Sequence, residues 1–133
     1  MTFLDTNVFI RYLTADDPAK AARCERLFDK VAKGREQVAT HVVVIAEVIW
    51  VLTSRYGLPK TRVVDALTPL ISLDGLQLDD KDHVLSALEI FRAKPIDFVD
   101  AVNIVVMQAI RVPDIYSYDT DFDRIPGLHR VEP

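Results

Sequence analysis

Cysteine, glycine and long apolar runs are scarce in this chain, and each scarcity removes a class of protein. Cys24 is the only cysteine among 133 residues, so no intrachain disulfide and no CxxC metal pair can form. The four glycines, Gly34, Gly57, Gly75 and Gly127, stand far apart, which leaves no glycine-rich loop to cradle a nucleotide's phosphates. His41, His83 and His129 are scattered without metal-ligand spacing and read as ordinary surface or core residues. The longest apolar stretch, Val42 to Leu52, is broken by Glu47 and is too short to span a bilayer. The N-terminus opens directly on a strand-like segment without a basic lead or cleavage site, so no export signal is expected and the cytosol is the expected compartment. A basic excess is missing too: 20 acidic against 16 basic residues give a net charge of −4, which argues against a surface built to coat DNA.

What remains is globular composition, 50% apolar and 27% charged, in a length that suits one core and one domain over 1–133. Strand-like and helix-like segments alternate along it. "MTFL" reads as the first strand, followed by Asp5, Thr6 and Asn7 and then a packed apolar run. "DDPAKAARCERLFDKVAKG" reads as a helix with Asp17 as N-cap, Pro18 at the first helical position and Gly34 as the stop. Leu27, Phe28 and Val31 form its apolar stripe. "QVAT", "GLQLD" and "DIYSY" are further strands. "THVVVIAEVIWVLTSRYG" favours a strand by its valines and isoleucines, but its length, Thr40 as cap and Gly57 as stop predict a helix buried nearly all round. "LPKTRVVDALTPLISL" predicts a helix bent or ended near Pro69. "DKDHVLSALEIFRAK" and "IDFVDAVNIVVMQAIR" are two more helices, the second with Asp97 as N-cap, and "DTDFDRIPGL" is a turn-rich exit. The alternation predicts an α/β sandwich on a parallel sheet, where ligands collect at the carboxyl ends of the strands.

Four acids stand in unexpected places. Asp5 follows the first strand, Glu47 interrupts an apolar helix, Asp100 opens another, and Asp119 follows the last expected strand. Each has an ordinary explanation: a capping acid, a wet helix stripe, a dipole-favoured first turn, a solvated turn. Asp97, Asp121 and Asp123 are adequately covered by such explanations, and Asn103 is either a supporting hydrogen bonder or solvent-facing. Taken together the four point to convergence. Two like charges about 5 Å apart repel by roughly 3 kcal/mol at an effective dielectric near 20. A cluster would then hold protons, or gather around a divalent cation. Oxygen-only ligands suit Mg²⁺ or Mn²⁺ rather than zinc, and such an ion would let an acidic site accept a nucleic acid.

With "FLDTNVFIRYL", the Glu within the apolar helix, "DFVDAVNIVVMQ" and "IYSYDTDFDRIPGL" in this order, the chain resembles the PIN-domain nucleases, and more narrowly the VapC-type ribonuclease toxins of toxin–antitoxin modules. The resemblance covers nearly the whole length. It implies a PIN-like α/β/α sandwich with a mostly parallel sheet of about four to five strands. It also implies an endoribonuclease that hydrolyses RNA phosphodiesters with Mg²⁺ or Mn²⁺. Asp5, Glu47, Asp100 and Asp119 match the family's acids and become the catalytic and metal-binding set; Thr6 matches the hydroxyl beside the first acid. Thr120 stands where the family often has a basic residue. A homodimer and a cognate antitoxin are implied, with operator DNA reached only through the antitoxin and no membrane association. Arg11, Arg55 and Lys60 are candidates to position RNA at the rim of the site. The rival reading is a noncatalytic PIN-like RNA-binding or scaffold module. A phosphohydrolase using Asp5 as nucleophile is disfavoured, because "DTNVF" lacks a second Asp two positions on.

Overall fold

The chain is rich in short capped segments, and the computed structural model, which describes all 133 residues, turns them into six helices and five very short strands. In chain order these are β1 (Thr2–Phe3), α1 (Thr6–Leu13), α2 (Pro18–Ala32), β2 (Val38–Ala39), α3 (Val42–Ser54), α4 (Lys60–Ile71), β3 (Leu76–Gln77), α5 (Lys81–Ala93), α6 (Phe98–Ile110), β4 (Asp114–Tyr116) and β5 (His129–Val131). A five-residue 3₁₀ turn, Thr120–Arg124, lies between β4 and β5. Strands β1, β2 and β3 form one parallel ladder and β4 and β5 another. The class is therefore the expected α/β, with every pairing parallel. The hydrogen bonding is split into two ladders, because strands of two or three residues offer few groups to pair. A fifth strand, β5, lies just past the turn-rich exit, where the residues gave no strand signal, and brings the total to the upper end of the four to five expected.

Local chemistry explains the boundaries. Asp17 caps α2 by accepting from the Lys20 amide at 3.0 Å, Pro18 occupies the first helical position, and Gly34 takes φ +71° just past the end. The N-cap of α3 is His41, whose Nδ1 accepts from the Val43 amide at 3.2 Å. Thr40, the expected cap, is buried instead, and its hydroxyl donates to the Leu4 carbonyl at 3.1 Å, which ties the end of β2 to the end of β1. Helix α4 contains Pro69 and ends two residues beyond it at Ile71, near the proline as expected. The proline removes only one donor near the end of the helix.

A single core of 28 buried apolar residues joins the elements. Phe9 of α1 lies 5.7 Å from Phe28 of α2 between ring centroids, and Tyr12 lies 4.8 Å from the same ring. These tilted contacts fix α1 against α2. Helix α3 packs against α1 on one side and α6 on the other, so it links the N-terminal and C-terminal thirds of the chain. It is not buried nearly all round. Ile45, Val48, Ile49 and Leu52 face the core, whereas Val43, Glu47, Trp50 and Ser54 form an exposed stripe at helical spacing.

Candidate active site

Two of the four acids meet around Thr6. Asp5 lies just beyond β1, where the Leu4 amide still donates to the Ala39 carbonyl at 2.7 Å, and it caps α1 by accepting from the Thr6 amide at 2.8 Å. The Thr6 hydroxyl is buried and donates to Glu47 at 2.6 Å, a short charge-assisted bond across 41 residues of sequence. Thr6 thus touches both Asp5 and Glu47, and it fixes Glu47 on the open stripe of α3. The hydroxyl expected beside the first acid therefore orients the second.

The other two meet where α6 begins. Asp97 caps α6, accepting from the Asp100 amide at 2.8 Å, as expected. Asp119 caps the 3₁₀ turn, accepting from the Asp121 amide at 2.9 Å, while its own amide donates to Ser117 Oγ at 3.0 Å. It stands three residues past β4 rather than directly at the strand end. Burial pushes the Asp100 carboxyl up to about 6, and the nearby charges of Asp97, Asp119 and Asp121 push the same way. Asp97 and Asp121, which look like ordinary turn and cap acids in the sequence, therefore belong to the electrostatics of this cluster. Asp123 does not lie free in solvent. Its carboxylate is paired with Arg130 at 2.9 Å, and that guanidinium also reaches Glu132 at 2.8 Å and the Ser117 carbonyl at 3.1 Å. Arg130 ties β5 to the segment that presents Asp119.

The burial expected for these acids is largely absent. Asp5, Glu47 and Asp119 are exposed and only Asp100 is half-buried, because caps and strand ends project into open solvent rather than into the core. Three of the acids at the site, Asp5, Asp97 and Asp119, cap helical segments whose N-terminal dipoles favour negative charge, each by about 0.3–1 kcal/mol. The all-oxygen donor set and the raised Asp100 carboxyl fit a hard divalent cation. No three Asp, Glu, His or Cys side chains are gathered closely enough to grip one ion. The acids stand instead as two groups, and α3, packed against both α1 and α6, bridges the elements that carry them. Each capping carboxylate has one oxygen engaged with a backbone amide.

A model of the PIN domain matches residues 2–128. The chain belongs to the PIN-domain family. It is 27% identical over 143 aligned residues to a VapC ribonuclease of Mycobacterium bovis, and equally to ribonuclease VapC13 of Mycobacterium tuberculosis, covering 98% of this chain and 99% of each relative. The crystal structure of Mycobacterium tuberculosis VapC20, titled a Sarcin-Ricin loop cleaving toxin, is 25% identical over the full length of both chains at a TM-score of 0.44.

The remaining candidates separate clearly. Asn103 is solvent-facing. Lys60 is structural: its ammonium donates to the Lys94 carbonyl and lies 5.3 Å from the centre of the Phe91 ring. Arg55 lies over the exposed Trp50 at 5.8 Å. Arg11 faces a cleft shared with Lys20 and Arg23 of α2. Neither of these two α2 cations stands out in the sequence. Their spacing of three is visible there, but the α1–α2 packing that sets them opposite Arg11 is not. No helix is long and apolar enough to cross a membrane.

Proposed function

We propose that this PIN-domain protein is a divalent-metal-dependent endoribonuclease, the toxin of a type II toxin–antitoxin pair, with Asp5, Glu47, Asp100 and Asp119 as its catalytic and metal-binding acids. The observation that supports the reading is the Asp100 carboxyl set among Asp97, Asp119 and Asp121, together with Thr6 bonded to both Glu47 and Asp5 on elements that α3 bridges to α6. Such a concentration of like charge is costly in a free protein and useful only to a ligand of opposite sign. PIN-domain ribonucleases of the VapC kind use divalent metals, and the oxygen-only donors here favour Mg²⁺, with Mn²⁺ as a substitute.

When bound, the cation lowers the pKa of a coordinated water and offsets charge developing on the scissile phosphate. The chain's own residues then have distinct roles. Asp100 must shed its proton before it can act as a ligand, which occurs above about pH 6. Thr6 keeps Glu47 from swinging away into solvent. Asp119 is held by the Ser117 hydroxyl and by the Arg130 ties around it. No side chain supplies a covalent nucleophile. RNA is the substrate, a cognate antitoxin masks the acids, operator DNA is reached only through that antitoxin, and two copies of the chain associate in the cytoplasm.

One observation favours a second reading. The acids are not gathered into a metal-gripping set, as a noncatalytic RNA-binding or scaffold module would allow. Incubation of a mixed RNA substrate with and without Mg²⁺ or Mn²⁺, beside Asp5→Asn, separates the two. Metal-dependent cleavage lost in the variant supports the nuclease; identical RNA profiles in all lanes leave the scaffold.

A further inference from the structure

Helix α1, which Asp5 caps, also borders a basic cleft. A cleft of about 320 Å³ between α1 and α2 is lined by Asn7, Val8, Arg11, Lys20, Arg23 and Cys24. Three of these six residues are cations in a chain of net charge −4. Their acidic neighbours hold them loosely. Arg11 lies 3.9 Å from Asp16 and Lys20 3.9 Å from Asp17, against 2.7 Å in the closed Lys33–Asp29 pair, and Arg23 has no carboxylate partner. Asp16 is itself engaged by the Tyr56 hydroxyl at 2.6 Å, which draws it away from Arg11. Both arginines lie near enough to the Cys24 thiol at the wall of the cleft to act on it electrostatically. The Phe9–Phe28–Tyr12 packing joins the two helices that carry these long side chains.

The position of the cleft selects its ligand. Asn7 on its wall is two residues from Asp5, about 3 Å of rise along α1. The cleft thus begins at the end of α1 that Asp5 caps, so a strand bound at Asp5 would have its neighbouring phosphates close to that wall. Resting on the nuclease reading above, we propose that Arg11, Lys20 and Arg23 form a phosphate subsite that holds the RNA strand beside the scissile bond. Asn7 adds a neutral amide donor at the junction of the two sites. The cations supply contact to the backbone, independent of sequence, and overcome the repulsion that the acids impose on an approaching strand.

Lys20 and Arg23 are exposed on α2, so Lys20→Gln with Arg23→Gln should leave the fold intact, as thermal unfolding will check. Binding of a fluorescently labelled, unstructured oligoribonucleotide is measured by anisotropy in EDTA over a range of salt, and cleavage is followed separately in Mg²⁺. The double variant should bind about tenfold more weakly, and its log–log salt slope should fall by about 0.7 for each lost contact. KM should rise with kcat unchanged, Arg23→Lys should retain most of the affinity, and a dinucleotide without flanking phosphates should not distinguish wild type from variant. Wild-type affinity and slope in the double variant would overturn the subsite while leaving the nuclease intact. Equal competition by polyglutamate of matched charge would also overturn it, by showing a surface that takes any anion. Weakened binding in the variant, with no cleavage by either protein, would uphold the subsite and sink the nuclease.

Discussion

Asp100→Asn should make the metal-free protein more stable, and pH should set by how much. The folded carboxyl titrates at about 6, against about 3.9 in an unfolded chain. A raised folded value means that the folded state binds the proton more tightly, so stability rises as pH falls from about 7 to about 4. Above that window the group is charged in both states, and folding partly buries that charge and brings it up against Asp97, Asp119 and Asp121. Two pKa units correspond to about 3 kcal/mol. Solvent reaches part of the side chain and screens its neighbours, so about 1–2 kcal/mol is expected at neutral pH. For a domain of this size that amounts to roughly 3–8 °C in Tm. Asparagine keeps the shape and removes the charge. Thermal unfolding by circular dichroism in EDTA and low salt, from pH 4 to 8, reads the difference. The variant should melt well above wild type at pH 7.5, and the gap should shrink through pH 6 and close near pH 4. Added Mg²⁺ should raise the wild-type Tm and leave the variant's nearly unchanged. A variant no more stable than wild type at pH 7.5, or a gap indifferent to pH, would refute the electrostatic reasoning.

Thr6→Val removes the bond that holds Glu47 and should lower RNA cleavage about 10- to 100-fold, whereas Thr6→Ser should retain activity in the same assay. Arg130→Ala frees the segment carrying Asp119 and should reduce cleavage about tenfold although Arg130 touches no acid of the proposed site; Arg130→Lys should not rescue it, since one ammonium cannot reach Asp123, Glu132 and the Ser117 carbonyl together. Gly75→Ala should cost about 1–3 kcal/mol in chemical denaturation, because a Cβ there would lie 3.0 Å from the Val31 and Glu36 carbonyls and from Val31 Cγ1. Isothermal titration of the EDTA-stripped protein should show Mg²⁺ binding that weakens below pH 6 as Asp100 takes up its proton.

Much of the architecture was legible from local chemistry. The cap and proline at Asp17 and Pro18, the Asp97 cap and the apolar stripe of Phe28 and Val31 each follow from short-range rules, and each stands where expected. The errors cluster where tertiary partners decide. Thr40 looked like a cap because hydroxyls cap helices, but the Leu4 carbonyl of a neighbouring strand claims it. Helix α3 looked buried nearly all round because valine and isoleucine dominate it, yet Val43 and Trp50 are 65% and 55% exposed. β5 was missed because "HRV" is too short to signal a strand until Asp114, Ile115 and Tyr116 offer it a parallel partner.

The sequence by itself determined the family and the α/β class, and it singled out four acids to propose as the site, because those readings rest on residue type and order along the chain. Only the tertiary structure decided which acids face one another, that Thr6 serves Glu47, that Arg130 pins the last acid's segment, and that Arg11 shares a cleft with Lys20 and Arg23. Electrostatic energy depends on distance through space, and no spacing along the chain reports a distance between helices that only the packed core brings together.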